Sequence, residues 1–557
     1  MKARSDPQCG IRFGHDALTQ TRRAAMAVLC ALALLAACDG GGGGGGIAPP
    51  PAPPLPTTYT PTGRAAAGDA FVHLFEWRWS DIARECEVFL GPRGFKAVQV
   101  SPPTEHAVVS TAGFPWWQRY QPVSYRLDAS RSGTAAEFTD MVARCRAVGV
   151  GIYVDAVINH MTAGSGTGSA GSAYSKYSYP AVPWSAGDFH SPCGVTNYQD
   201  AANVQNCELV GLADLATERD GVRQRLADYL IAMNALGVEG FRIDAAKHIP
   251  PRDIDAILTR VNDAAVAAGR ARPYVFLEVI NNPGEAVTAQ QHFGVGNASG
   301  GGSDVTDFIY GYRMTDAFTG RGGATLNSVL PNLPSVLLPA DKGVVFIDNH
   351  DNQRGDNLHY ANAAYELAAI FLLAHPHGYP VLMSSYGFDR STGAGRDAGP
   401  PSTGAGATTS TFDGNGASRC TAQIGSVQAG AWICEHRRPA IAQMVAFRKA
   451  AAGAPLTSCG RPDWMINADP NRIAFCRDGA GFVALSRSGV ASAETLPTRL
   501  PSGSYCNVAQ HVYTPASGAA VASCSGVPIV VGPAPAGNAT FTVPSNGAVA
   551  LHVGARL

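Results

Sequence analysis

Gly240-Phe241-Arg242-Ile243-Asp244 reads as a short strand that ends in a carboxylate, and the rest of the chain is best read outward from it. Successive side chains of a strand alternate between faces, so Arg242 and Asp244 share one face and Phe241 and Ile243 take the other. Runs of the same kind lie on both sides: Phe71-Val72-His73-Leu74-Phe75, Ala97-Val98-Gln99-Val100, Gly151-Ile152-Tyr153-Val154-Asp155-Ala156-Val157, Tyr274-Val275-Phe276-Leu277-Glu278, Phe308-Ile309-Tyr310, Val344-Val345-Phe346-Ile347-Asp348 and Val381-Leu382-Met383. Helix-like segments separate them, such as Asp81 to Leu90 and Phe138 to Val148, where apolar residues recur at helical spacing. Eight such runs alternating with helices imply a parallel sheet covered by helices and closed on itself, an α/β fold of the (β/α)8 TIM barrel type. Several runs finish in a polar or charged residue, and the C-terminal ends of barrel strands are where such folds keep their chemistry.

Two stretches depart from the repeat. From Met161 to Leu215 the chain is rich in Gly, Ser, Tyr and Asn and too long for a simple loop, which predicts a small subdomain, 161–215, inserted after the third strand. Beyond Ala454 the pattern changes to short β-like runs, including Arg472 to Cys476, Gly481 to Ser486 and Ala539 to Val543, with Gly, Pro and Ser turns between them. That predicts a C-terminal all-β sandwich over 455–557, and leaves 66–160 and 216–454 to the barrel. A chain of 557 residues has room for roughly three to four domain-sized units. It contains no repeat at solenoid or propeller period.

The N-terminus reads as an export signal. Arg22-Arg23 precede an apolar run from Ala24 to Ala37, shorter than the roughly 20 residues that span a bilayer. The run closes on Leu35-Ala36-Ala37-Cys38, which resembles the acylation site of bacterial lipoproteins; plain cleavage at a small residue is the alternative. Residues 1–38 are therefore the expected signal segment, and 39–65, with Gly40 to Gly46 and a Pro-rich stretch to Pro56, the expected linker. A tether suits a chain attached to a membrane through lipidated Cys38, so secretion or anchoring at the cell envelope is expected.

Cysteine usage agrees with export. Of 13 cysteines, Cys9, Cys30 and Cys38 fall in the targeting segment, and the remaining ten suit an oxidising compartment. Sequence neighbours pair Cys193 with Cys207, Cys420 with Cys434, Cys459 with Cys476 and Cys506 with Cys524, leaving Cys86 for Cys145. None has the CxxC spacing of a zinc site. With Lys+Arg 42 against Asp+Glu 43 the net charge is -1, so no overall field exists to hold nucleic acid. A monomer is the default expectation.

Three carboxylates stand at predicted strand ends: Asp244, Glu278, and Asp351 after Phe346-Ile347-Asp348-Asn349-His350. In a closed barrel such ends converge on one mouth. A retaining glycosidase needs one carboxylate to attack the anomeric carbon and a second, about 5 Å away, to protonate the leaving oxygen. A third can support positive charge developing on the ring. Arg242, sharing a strand face with Asp244, is expected to lower the pKa of that nucleophile. Glu278 sits among Phe276, Leu277, Val279 and Ile280, apolar company that suits an acid.

Four segments resemble the signature segments of α-amylases, in the same order: Asp155-Ala156-Val157-Ile158-Asn159-His160, Gly240 to His248, Phe276-Leu277-Glu278-Val279-Ile280 and Phe346 to Asp351. Val72-His73-Leu74-Phe75-Glu76-Trp77 and Pro115-Trp116-Trp117-Gln118-Arg119-Tyr120-Gln121-Pro122 resemble the animal-type subgroup of glycoside hydrolase family thirteen. The resemblance runs from about residue 70 to the C-terminus. It implies endo-hydrolysis of α-1,4-glucosidic bonds in starch and related α-glucans, with Asp244 as nucleophile, Glu278 as acid/base and Asp351 as transition-state stabiliser. It further implies sugar contacts from His160 and His350 at the cleavage subsite and from Lys247 and His248 on the leaving-group side, with Gln121, Arg242 and Ile280 as further substrate contacts. Trp116, Trp117 and Tyr120 would form a glucosyl platform on the non-reducing side, with Tyr198 and Leu212 of the insertion as further contacts. Calcium would be held by the side chains of Asn159 and Asp214 and the backbone carbonyls of Gln205 and His248.

The sequence departs from the family in two places. Of the chloride-binding residues, Arg242 and Asn349 match, but the second arginine position falls at Val381. A valine cannot hold an anion, so activity independent of chloride is expected. The glycine-rich loop with a histidine that follows the fourth signature is missing, since Arg354-Gly355 runs into Asp356-Asn357. Rival readings are a transglycosylase or oligosaccharide-specific enzyme on the same fold, which product profiles on soluble starch would separate, and a non-catalytic starch-binding protein, against which all three carboxylates count.

Overall fold

The computed structural model describes residues 59–296, 302–421, 428–461 and 463–557. The expected signal segment, Cys9, Cys30, Cys38 and the glycine-rich part of the linker lie outside the described residues. Eight parallel strands close into a barrel: β1 Phe71–Leu74, β2 Ala97–Val100, β3 Gly151–Ala156, β4 Gly240–Ile243, β5 Tyr274–Leu277, β6 Ser303–Asp307, β7 Gly343–Val345 and β8 Tyr379–Ser384. Each pairs with its neighbours in sequence, and β1 closes the ring against β8, with Phe71 opposite Val381 and Met383 opposite His73.

Alternation along these strands sorts the interior by height. Phe71, Ala97, Tyr153, Tyr274, Phe276, Val344, Phe346, Tyr379 and Val381 form one buried apolar cluster. Nearer the strand ends, the same inward faces turn polar, with His73, Gln99, Asp155, Arg242 and Thr306 in the positions that follow. Gly240 is required at the floor of β4, because a Cβ there would lie 2.6 Å from the Tyr274 carbonyl and 2.7 Å from the Tyr153 ring.

One strand lies elsewhere than the sequence suggests. β6 is Ser303–Asp307, and Phe308, Ile309 and Tyr310 open the helix Phe308–Thr319 that follows, with the Asp307 side chain capping it at Tyr310 N. The true strand is hard to see because its inward residues are polar for local reasons. Asp304 accepts from Thr62 Oγ1 (2.8 Å) and Tyr274 Oη (2.9 Å) and lies 3.5 Å from Lys342 Nζ.

Those contacts belong to a floor under the barrel. Residues 59–69, expected in part to be linker, pack against the N-terminal ends of the strands instead. Lys342 Nζ donates to Thr60 O (2.8 Å), Tyr59 Oη to Asp341 Oδ1 (3.2 Å), and the Arg64 guanidinium covers the Tyr274 ring at 5.6 Å.

After β3 the chain leaves the barrel. His160–Met161 pairs antiparallel with Ala213–Asp214, bringing the two ends of the inserted segment together, and a hairpin of Ser165–Thr167 with Ala173–Ser175 lies within it. The C-terminal region is a β-sandwich. One sheet is built from Leu456–Thr457, Met465–Ile466, Asp469–Arg477, Gly481–Ser486 and Ala548–His552, the other from Ser492–Pro497, Asn538–Val543, Ile529–Val531 and Gly503–Tyr505. Phe482, Phe541, Val549 and Leu551 fill the space between them. Arg477 fastens the sandwich to the barrel by donating to Ala374 O (3.1 Å), Ala451 O (2.7 Å) and Ala454 O (3.0 Å). Five disulfides form with the expected pairings, Cys86–Cys145, Cys193–Cys207, Cys420–Cys434, Cys459–Cys476 and Cys506–Cys524.

Candidate active site

Arg242 is the hub of the mouth. Its Nη1 lies 2.5 Å from Asp155 Oδ1 and 2.9 Å from Asp244 Oδ1, and its Nη2 lies 2.5 Å from Glu278 Oε1. Three carboxyls from the ends of β3, β4 and β5 thus share one guanidinium, and all four side chains are buried or nearly so. Three negative charges against one positive, away from water, favour retention of a proton within the cluster.

The other oxygen of Glu278 accepts from the backbone N–H of Ala245 at 2.8 Å. Ala245 is left-handed (φ 49°, ψ 30°), a strained conformation for a residue with a Cβ, and it turns its N–H toward Glu278 directly after Asp244. Asp155 also accepts from Tyr120 Oη (2.9 Å) and Gln99 Nε2 (3.2 Å).

Arg242 does lower the Asp244 carboxyl, as its place on the strand predicts, but burial and the neighbouring carboxyls outweigh it. Burial pushes Asp244 well above the usual carboxylate range, Glu278 and Asp155 add to the rise, and Arg242 opposes it without prevailing. Burial likewise raises Asp351 to about 7, with Glu278 adding to it and Arg242 and Arg354 opposing.

Aromatic rings line the cluster. His350 is stacked between Tyr120 (4.9 Å between centroids, 5° between planes) and Phe75 (5.1 Å, 26°), and Trp116 meets it edge-on at 5.6 Å. His350 Nε2 lies 3.4 Å from Asp351 Oδ2. Trp116 and Tyr120 are almost fully covered, so of the expected platform it is half-buried Trp117 that keeps an open ring, while the other two build the wall behind it. Gln121 is half-buried and accepts from Thr162 Oγ1 at 2.7 Å. His160 is buried, with Nε2 donating to Tyr120 O (3.0 Å) and Nδ1 accepting from Asn159 Nδ2 (3.2 Å).

On the opposite side, Lys247 Nζ donates to Ile280 O at 2.7 Å and pairs with Glu285. The Tyr198 ring lies under that ammonium at 4.8 Å and meets His248 edge-on at 6.3 Å. Leu212 is buried at the neck of the insertion. Several contributors are not singled out by the sequence reading: Asp155, Glu285 and Arg354. Asp155 was discoverable, since it takes an inward position two residues after Tyr153.

The family model for the alpha-amylase catalytic domain matches residues 94–271, and that for the alpha-amylase C-terminal all-beta domain matches residues 464–554. An alpha-amylase of Thermomonospora curvata is 45% identical over 505 residues, covering 89% of this chain and 75% of the relative. One from Tribolium castaneum is 44% identical over 506 residues, covering 88% and 96%. The chain belongs to the alpha-amylase family. Among solved structures, a mutant of alpha-amylase I from Eisenia fetida in complex with maltohexaose superimposes with a TM-score of 0.76 at 37% identity, covering 89% of this chain and 98% of that one. The barrel and its carboxyls are accordingly those of a glycoside hydrolase of the alpha-amylase type.

The residues expected to hold calcium lie in two neighbouring pairs at the junction of barrel and insertion. Asn159 O accepts from Leu215 N (3.0 Å), beside Asp214, and His248 Nδ1 donates to Val204 O (2.8 Å), beside Gln205. Asp214 is 2% exposed, holds His190 Nδ1 at 2.7 Å, and is raised to about 6 by burial. A buried carboxylate so incompletely compensated fits a cation.

Chloride fits poorly. Beneath the mouth is a small cavity lined by His73, Arg242, Asp348, Asn349, Val381 and their neighbours. Arg242 already serves three carboxyls there, the side-chain oxygen of Asn349 accepts from Asp351 N (3.1 Å) and Asn352 N (2.8 Å), and Val381 offers only methyl groups.

Proposed function

We propose that this alpha-amylase cleaves internal α-1,4-glucosidic bonds of starch and related α-glucans by double displacement with retention. Asp244 attacks the anomeric carbon while Glu278 protonates the glycosidic oxygen, and the leaving chain departs. Glu278, now ionised, takes a proton from water, which attacks the glycosyl-Asp244 ester and releases the sugar with its original anomeric configuration. Asp351 supports the positive charge on the ring in both steps. His160 and His350 bind the sugar at the cleavage point, Trp117 stacks on the non-reducing side, and Lys247 and His248 hold the departing chain.

The observation that carries this reading is the single Arg242 guanidinium gripping both Asp244 and Glu278. Carboxyls on neighbouring nitrogens of one cation suit the close pairing of direct displacement rather than the wider gap that admits water between acid and base.

Asn159, Gln205, Asp214 and His248 would hold calcium, whose role here is to clamp the insertion to the barrel and so fix the wall of the cleft. Activity should not depend on chloride. The export signal and tether favour secretion or anchoring at the cell envelope through Cys38, with the chain acting as a monomer.

Incubation with blocked maltooligosaccharides, with and without a calcium chelator, while following the anomer released by NMR, tests substrate, stereochemistry and metal together. First release of the α-anomer, and its loss with chelation, is expected. Release of the β-anomer would overturn the mechanism, and no cleavage in the presence of calcium would overturn the activity.

A further inference from the structure

Arg354 lies three residues beyond Asp351, yet it is 6% exposed and surrounded by partners. Its guanidinium is sandwiched between the Trp116 and Phe388 rings, 4.5 Å from each centroid. Nη1 donates to the backbone carbonyl of His350, Nη2 to Tyr386 Oη at 2.9 Å, and Nε to Arg396 O at 2.9 Å. Tyr386 in turn donates to Ala398 O at 2.8 Å and stacks on Phe75 at 5.9 Å. One side chain thus ties the His350-Asp351 turn to the Trp116 wall, and both to the segment after β8 that carries Phe388, Arg396 and Ala398.

We propose that Arg354 is a positioning residue for the reaction: it fixes the His350-Asp351 turn against the Trp116 wall and places a permanent positive charge at that turn, beside the sugar. The planar fork of arginine suits the task, since it presents donors to three acceptors while both of its faces are covered by rings. Lysine has the charge without the fork. The groups facing Asp351 are Glu278 from the end of β5, Arg242 from β4, Asp155 from β3, Tyr120, His350 beside it, and Arg354 itself. Of these, Arg242 and Arg354 carry permanent positive charge, and Arg242 is already divided among three carboxyls. The inference rests on the reading of Asp351 as the transition-state stabiliser.

Arg354→Met and Arg354→Lys test it on the full chain, with Asp351→Asn measured alongside. Arg354→Met is expected to lower kcat about 100-fold with little change in KM, as a misplaced catalytic group does. The rising limb of its kcat/KM profile is expected to move to higher pH, because a carboxyl that must be ionised loses its cation. Arg354→Lys is expected to recover the position of that limb but only part of kcat. Near-normal kcat in Arg354→Met, or an unmoved limb in a variant whose thermal midpoint is unchanged, overturns the proposal. Should Arg354→Met fail to fold, wild-type kcat in Arg354→Lys overturns it and reduced kcat with an unmoved limb supports it. Undiminished activity in Asp351→Asn would instead remove the reading beneath it.

Discussion

Glu76 and Arg119 form an ion pair at 3.0 Å with both side chains wholly shielded from solvent. Glu76 follows β1 with a left-handed backbone (φ 65°), and Arg119 lies in the short helix Trp116–Tyr120. The guanidinium also donates to Pro102 O (2.6 Å) and Ser132 Oγ (2.9 Å). The pair therefore aims the Trp116–Tyr120 helix at the cleft from behind.

Breaking a buried pair leaves the partner's charge uncompensated, which costs ~3–5 kcal/mol. Glu76→Gln should lower the urea midpoint accordingly. It should also raise KM for maltooligosaccharides more than it lowers kcat, because Trp117 loses its seat. A variant as stable as wild type would show that the pair does not hold the helix.

Asp351 gives a pH prediction with a definite sign. Its carboxyl is raised to about 7 in the folded chain. The folded state therefore prefers the neutral form, and the stability this provides is present below pH 4 and is lost as pH rises through about 7. Asp351→Asn should consequently be more stable than wild type at pH 8, by on the order of 1 kcal/mol once the open part of the side chain is discounted, with no gain at pH 4. Urea unfolding at the two pH values checks this.

Histidines at the junction of barrel and sandwich act in the opposite direction. Burial holds His552 down to about 4 and His375 well below the ordinary value of 6.5. The unfolded chain binds the extra proton, so this stability is present above pH 6.5 and drains away toward pH 4, by up to roughly 3 kcal/mol for one such group. His552→Asn keeps an acceptor for Gly554 N, which His552 Nδ1 now bonds at 3.2 Å. It should flatten the acid side of a plot of unfolding midpoint against pH.

Calcium should stabilise the fold by about 2.7 kcal/mol when present at 100 times its Kd. A chelator should therefore lower the thermal midpoint of the wild type. Asp214→Asn should begin low and respond little to chelation, and an equal response in both proteins would place the ion elsewhere.

Replacing chloride by acetate should leave wild-type kcat/KM unchanged. Val381→Arg places a second guanidinium in the cavity beneath Arg242 and should make the rate respond to chloride titration. A wild-type rate that collapses without chloride would refute the assignment made from Val381.

How much of this could be read beforehand depended on whether a residue's neighbours in sequence are also its neighbours in space. Seven barrel strands stand out because their own residues are apolar. β6 does not, because Asp304 and Thr306 face inward toward partners as distant as Thr62 and Lys342. Asp244, Glu278 and Asp351 are visible as polar endings to apolar runs. The rise in the Asp244 pKa is not, since it comes from burial and from carboxyls on two other strands. Trp116 illustrates the same limit: its loop looks exposed on paper, and only the folded contacts with His350 and Arg354 show it built into the wall.

The attachment of Tyr59 to Asp341, with Thr60 held by Lys342, has a practical corollary. Anything joined ahead of Tyr59, whether a bead, an electrode or a fused protein, is connected on the side of the barrel remote from the catalytic opening. Immobilised by that end, the protein would keep its opening toward bulk solution, where long polymers arrive, whereas coupling through the loops around Trp117 would shade it.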